Sequence, residues 1–232
     1  MTDFLLFIDT EASGLPKKWD LPYFAKDNWP FSVQVAWVIY NKEGQEIKKE
    51  NYFIKENDFT ITRSAIKIHG ITHTFLQANG FSRKEVMKKL SDDINEYKPL
   101  IVAHFMQFDY HMMSADFYRS NIANPVSKDM IFCTMLATAH LVKNPAQKYF
   151  RLGQLYQELF NIPLQNQHDA LADANAAARC FYELVKRGEI TDETIANQQK
   201  EIQKPYLENK GTGCIIPLLL IISLFFLIFL YL

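Results

Sequence analysis

The chain has 232 residues, 22% of them charged and 48% hydrophobic, with a net charge of −1. That length supports one well-cored domain with a remainder, and the near-neutral balance excludes an overall basic field, so any nucleic-acid contact must come from a local patch. Three cysteines (Cys133, Cys180 and Cys214) show neither metal-ligand spacing nor a paired framework, and the apolar contexts of Cys133 and Cys180 point to core thiols in a reducing compartment.

No basic n-region or cleavage site opens the chain, so no secretory signal is expected. Phe4-Leu5-Leu6-Phe7-Ile8 reads as a buried strand, and Asp9 and Glu11 follow at period two. Residues i and i+2 of a strand share a face, so both carboxylates aim at one spot. Held together, two anions repel unless one takes a proton or a cation neutralises them, and hard oxygen ligands suit Mg²⁺ or Mn²⁺. Taken alone, the pair is as consistent with capping a turn as with a metal. Gly14 and Pro16 end the strand, and residues 17–30, rich in Pro, Lys, Trp and Asp, read as a long loop.

Val33–Tyr40 reads as a central strand, Asn41-Lys42-Glu43-Gly44 as a turn, and Glu46–Ile54 as a polar edge strand. Around Ile68-His69-Gly70-Ile71-Thr72 one short helix ends at Gly70 and another begins at Thr72. Ser82-Arg83-Lys84-Glu85 is a capping box, and the spacing of Val86, Leu90, Ile94 and Tyr97 predicts a helix over 83–97. Pro99–His104 reads as an apolar strand, with Asp109 opening the next helix. A short strand over 130–133, a helix over 134–142, a helix over 151–160 and an alanine-rich helix over 170–185 closed by Gly188 complete the pattern. The order implies a mixed sheet with helices on its faces, an α/β protein.

Residues 189–212 are polar and predict a helical stalk. From Gly211 to Leu232 no residue is charged, and the 18 residues from Ile215 are apolar except Pro217, Ser223 and Tyr231. As a helix they would span about 27 Å, close to a bilayer's hydrocarbon core. The expectation is a C-terminal transmembrane anchor over 213–232, with Lys204 and Lys210 before it and the folded domain in the cytoplasm.

Three stations of chemistry could converge at strand ends: Asp9 with Glu11, then Asp109, then the run His168-Asp169-Ala170-Leu171-Ala172-Asp173. His168 and Asp173 are about 140° apart on a helix, so His168 is expected on the loop or first turn, reaching across a site that Asp173 lines. Asp9-x-Glu11, His104-x-x-x-Phe108-Asp109 and His168-x-Ala170-x-x-Asp173, with Ile68–Thr72 between them, resemble the DEDDh branch of the DnaQ-like 3′→5′ exonucleases, which includes RNase T and polymerase proofreading subunits. The resemblance covers about residues 3–187. One departure is Phe105, where the family often has Asn; it bears on local hydrogen bonding to the substrate backbone.

The resemblance implies a ribonuclease H-like fold with a five-stranded sheet, an exonuclease domain over 1–188, and two divalent cations, Mg²⁺ or Mn²⁺, held by Asp9, Glu11, Asp109 and Asp173. It implies His168 as general base, a role suited to imidazole because the free group titrates near neutral pH. Leu15, His69, Ile71 and Phe108 match substrate-contact positions, although core packing for Leu15, Ile71 and Phe108 and helix capping for His69 explain them as well. The partners expected are 3′-ended or single-stranded nucleic acid with DNA favoured, a membrane through the tail, and a possible homodimer. The alternatives are a catalytically silent exonuclease-fold module binding 3′ ends at the membrane, and a membrane scaffold with no nucleic-acid role, which leaves the motif spacing unexplained. His73, His111 and His140 have no motif partner.

Overall fold

The computed structural model describes residues 2–203. Five strands form one sheet: β1 (Phe4–Ala12), β2 (Ser32–Asn41), β3 (Glu46–Phe53), β4 (Leu100–Ala103) and β5 (Ile131–Cys133), in the order β3-β2-β1-β4-β5. The first three are antiparallel neighbours, whereas β4 and β5 run parallel to β1. This is a mixed sheet flanked by helices, the ribonuclease H-like arrangement. α1 (Arg63–His69), α2 (His73–Asn79) and α3 (Arg83–Tyr97) precede β4, and α4 (Met106–Arg119) follows it. After β5 come α5 (Thr134–Ala137), α6 (Leu152–Phe160), α7 (Ala170–Lys186) and α8 (Asp192–Gln203).

Strand alternation sorts the core into two faces. Leu6, Ile8, Trp37 and Ile101 meet Val86 and Leu90 of α3 and Met113 and Phe117 of α4. Leu5, Phe7, Val102 and Phe132 meet Leu155 of α6 and Phe181 and Leu184 of α7. β1 pairs with β4 only from Leu5 to Phe7, while its pairing with β2 continues to Ala12. The end of β1 therefore overshoots its parallel neighbour, and Asp9 and Glu11 extend the row begun by Leu5 and Phe7 on the α7 face. Many buried positions of α7 are alanines (Ala170, Ala174, Ala176, Ala177 and Ala178), which lets the helix lie close over β1 and β2.

Several boundaries differ from the sequence pattern. α4 starts at Met106, so Asp109 lies in its first turn, and Phe105 stands at the N-cap position without a side-chain cap bond. The segment expected as one helix over 134–142 breaks into α5 and a 3₁₀ turn over Ala139–Leu141. The stretch expected as a stalk is helical as α8, and α8 rests on the domain. Ile190 before it and Ile195 within it are buried. Gln198 accepts from the Cys133 N–H at 2.6 Å and donates to the Cys133 carbonyl at 3.1 Å, occupying the outer edge of β5 as a strand would.

The membrane expectation is corrected. No helix among the described residues is long and apolar enough to cross a membrane. The span expected over 213–232 lies outside the described residues. The transmembrane helix, the membrane partner and the tail-anchored location with a cytoplasmic domain are accordingly withdrawn. The possible homodimer is withdrawn with them, because the single chain offers nothing that supports it.

Phe181 is fully buried and edge-on to both Phe7 and Phe132, at 5.4 and 5.9 Å between ring centroids. Phe181→Ala is expected to lower unfolding free energy by about 3–5 kcal/mol, read by urea denaturation. A loss below about 1 kcal/mol would contradict this account of the α7–sheet contact.

Candidate active site

Three segments bring carboxylates to the overshooting end of β1. Asp9 and Glu11 come from the strand itself. Thr10 points to the opposite face, and its hydroxyl donates to Asp109 Oδ1 at 2.8 Å, drawing the first turn of α4 over the strand end. Asp173 comes from the first turn of α7. Its Oδ2 accepts from the backbone N–H of His168 at 2.9 Å, while its Oδ1 is buried with no hydrogen-bond partner.

The loop before α7 is shaped to make that contact. His168 has φ of 67° and Asn166 φ of 54°, in the left-handed region that His and Asn tolerate better than most residues. Asp169 then caps α7, accepting from Ala172 N at 2.9 Å. Buried Gln34 of β2 donates to Asp169 Oδ2 at 3.2 Å and accepts from Ala170 N at 3.2 Å, tying the helix start to the sheet. The His168 ring is left exposed at the rim, with Nδ1 3.9 Å from Glu11 Oε1.

All four carboxyls are shifted towards the protonated form. Burial raises Asp9 well above the usual carboxylate range, and Asp109, Asp173, Glu11 and Asp169 add repulsion. Glu11 is pushed up to about 8 by burial and then by Asp173, Asp109 and Asp169. Burial takes Asp109 to about 7 even though the Thr10 bond opposes the shift. Burial raises Asp173 too, against the stabilising His168 N–H. This is the behaviour of like charges crowded in a low-dielectric site. Donor atoms of Glu11, His168 and Asp173 lie within 4.8 Å of one another, a spacing at which one ion can be shared. The oxygen-rich set and the unpartnered Asp173 Oδ1 fit a hard divalent cation.

The expected substrate residues divide. Leu15 is 78% exposed on the loop after β1, and Phe108 is partly exposed beside Asp109. Ile71 is only 6% exposed and packs with Ala65 and Leu76. His69 has both ring nitrogens engaged inside the chain: Nε2 donates to the Ala12 carbonyl at 3.2 Å and Nδ1 accepts from Ile71 N at 3.0 Å. Burial lowers its pKa. The motif's His104 is also structural. Its Nε2 donates to the Phe150 carbonyl at 2.9 Å, which leaves Nδ1 to accept from the Thr134 hydroxyl at 3.0 Å, and burial lowers its pKa to about 4.

Sequence reasoning passed over Asp169, Thr10 and Gln34. Asp169 was visible as an N-cap residue, and Thr10 as the residue between two acids. Gln34, on a different strand and far along the chain, carried no local signal.

The family model RNase_T, described as Exonuclease, matches residues 6–181, more than half of the chain. The chain belongs to this exonuclease family. Membership and the acid–histidine cluster together give it the potential to act as an enzyme. No curated protein matches the sequence. Among solved structures, E. coli exonuclease I with a dA16 oligonucleotide is similar at TM-score 0.66 and 21% identity, over 84% of this chain and 43% of that one. The zinc-bound E. coli exonuclease I–ssDNA complex gives TM-score 0.66 and 20% identity over 85% and 42%. The dT13 complex gives 0.63 and 21% over 80% and 41%. These likenesses concern the fold, and the chain spans less than half the length of these exonuclease I structures.

The raised carboxyls predict a pH dependence. A group whose folded pKa lies above its unfolded value contributes stability at low pH and loses it as pH rises through the folded value. For Glu11 that window runs from 4.5 to about 8. In EDTA, the thermal midpoint is therefore expected to fall as pH rises across this window. A midpoint that climbs steadily from pH 5 to 8 would contradict the crowding of these acids.

Proposed function

We propose that the chain is a divalent-metal-dependent 3′→5′ exonuclease that removes 5′-mononucleotides from nucleic-acid 3′ ends, single-stranded DNA being favoured. The observation that carries this reading is the convergence of Asp9, Glu11, Asp109 and Asp173 from β1, α4 and α7, with Glu11, Asp173 and the exposed His168 close enough to share one ion. Family membership supports the hydrolytic chemistry, and the oligonucleotides held by the E. coli exonuclease I structures support the choice of substrate.

Asp9, Glu11, Asp109 and Asp173 would hold two cations, Mg²⁺ or Mn²⁺. When bound, such a pair offsets the carboxylate charge and polarises the phosphoryl oxygens of an in-line displacement. The protein's own part is orientation and proton transfer. The Thr10 hydroxyl fixes one oxygen of Asp109, and the His168 N–H fixes one oxygen of Asp173. The His168 ring accepts the proton of the attacking water as general base, and Glu11, 3.9 Å away, steadies the imidazolium that results. The water oxygen bonds to phosphorus, the bond to the 3′ oxygen of the remaining strand breaks with that oxygen taking a proton from solvent, and a 5′-mononucleotide leaves. Exposed Leu15 and partly exposed Phe108 are the side chains offered to the terminal bases.

His168→Ala is expected to lower kcat on a 5′-labelled oligonucleotide by about 10²–10⁴-fold, the range for loss of a general base. Asp173→Ala is expected to lose more than the roughly 10–100-fold typical of a residue that only supports a metal ligand, with circular dichroism unchanged. Wild-type rates from a folded Asp173→Ala protein would refute the assignment.

A further inference from the structure

The loop over residues 17–30 has neither strand nor helix, yet it is fastened at several points. Buried Asn28 accepts from Lys18 N through Oδ1 and donates to the Lys18 carbonyl through Nδ2, both at 2.9 Å. Trp29 is buried, and its Nε1 donates to the carbonyls of Leu21 and Pro22 at 3.1 and 3.2 Å. Its ring stacks on His111 of α4 at 4.7 Å and 19°. The Tyr23 hydroxyl meets His111 Nδ1 at 2.9 Å.

What this fastening presents is Trp19. Its ring lies edge-on to Trp29 at 6.3 Å and to His111 at 5.9 Å, both fastened within the loop and α4. It also meets Phe105 at 6.0 Å and Phe108 at 6.4 Å. Phe105 and Phe108 are themselves near-parallel at 6.3 Å and 16°, as expected of neighbours three apart on a helical turn. Trp19 remains 37% exposed and Phe105 40% exposed. Phe108 is adjacent in sequence to Asp109, and exposed Lys17 and Lys18 precede Trp19.

Resting on the exonuclease reading, we propose that Trp19 and Phe105 join Phe108 in a rigid platform that stacks unpaired nucleobases beside the cleavage site and so selects single-stranded 3′ ends. Three features commit the platform to this occupant. Phe105 and Phe108 belong to the start of α4, the same turn that carries Asp109, so a strand offering its terminal phosphodiester at the carboxylates brings its bases towards them. Lys17 and Lys18 supply positive charge for the phosphates of the same strand. A base paired in a duplex keeps its faces stacked within the helix, whereas an unpaired base offers a free face to an aromatic ring. Phe105, at the N-cap where a polar side chain would ordinarily bond the helix backbone, gives up a cap and adds a ring to the surface.

The test is equilibrium binding, read by anisotropy of a 5′-labelled dT oligonucleotide in EDTA with the full chain, run beside the same oligonucleotide carrying abasic sites near its 3′ end. Trp19→Ala and Phe105→Ala are each expected to weaken binding of the intact oligonucleotide by roughly tenfold, as removal of one stacking ring does, while barely changing the abasic one. Trp19→Phe is expected to restore most of the affinity. Equal affinity of wild type and both alanine variants, or equal losses with and without bases, would overturn the platform. A wild-type protein that binds through these rings but does not shorten the oligonucleotide with Mg²⁺ would support the platform and overturn the exonuclease reading instead.

Discussion

The burial of four acids together at the end of β1, like charge beside like charge, is the constraint on which the site depends. Elsewhere the protein neutralises buried acids with its own cations. Asp116, fully buried, is paired with Arg119 at 2.8 Å and faces Arg83 at 3.5 Å. Asp93 is paired with Lys48 at 2.6 Å and accepts from Trp37 Nε1 at 2.8 Å. At the β1 end, among the described residues, no lysine or arginine forms an ion pair with Asp9, Glu11, Asp109 or Asp173. A fold able to pair buried acids leaves this group without a protein cation, the arrangement expected where the counter-charge arrives from solution.

The scaffold makes that arrangement tolerable by small devices. The pairing of β1 with β4 stops at Phe7, so the two acids lie beyond the parallel ladder. Thr10, Gln34 and the His168 backbone each hold one carboxylate oxygen of Asp109, Asp169 or Asp173. The Asp116–Arg119 pair extends the same economy outward. Arg119 also donates to the carbonyls of Trp29 and Pro30 at 2.7 and 2.8 Å, and its guanidinium lies over Phe31 at 3.7 Å. The return of the 17–30 loop to β2 is thereby anchored to α4, the helix that carries Asp109.

Much of this was readable where a local pattern has one physical meaning. The Ser82–Glu85 capping box and the apolar spacing of 83–97 fix α3 without reference to anything distant. Gly70 at φ of 73° separates α1 from α2, as its place in Ile68–Thr72 suggests. The motif segments were legible as spacing, and they are the segments whose carboxyls interact at the β1 end. What was hidden depends on partners remote in sequence. The packing of α8 against β5 follows from Gln198 meeting the Cys133 backbone, and polar composition alone suggested a free stalk. Ile71 reads as a surface contact by resemblance, but its side chain is taken into the cluster under α1 and α2. Phe105 disguised the start of α4 because it caps nothing. The apolar run over 213–232 suggests a span by composition alone and lies outside the described residues, among which no helix is long and apolar enough to cross a membrane.

The fold holds these acids close with or without an ion, and a cation between them would offset their charge. The most direct measurement is anomalous scattering from crystals of the protein soaked in Mn²⁺. Manganese peaks are expected in contact with the carboxylates of Asp9, Glu11, Asp109 and Asp173. A well-ordered site that stays free of manganese at millimolar concentration, with those carboxylates protonated and bonded to one another, would contradict that expectation.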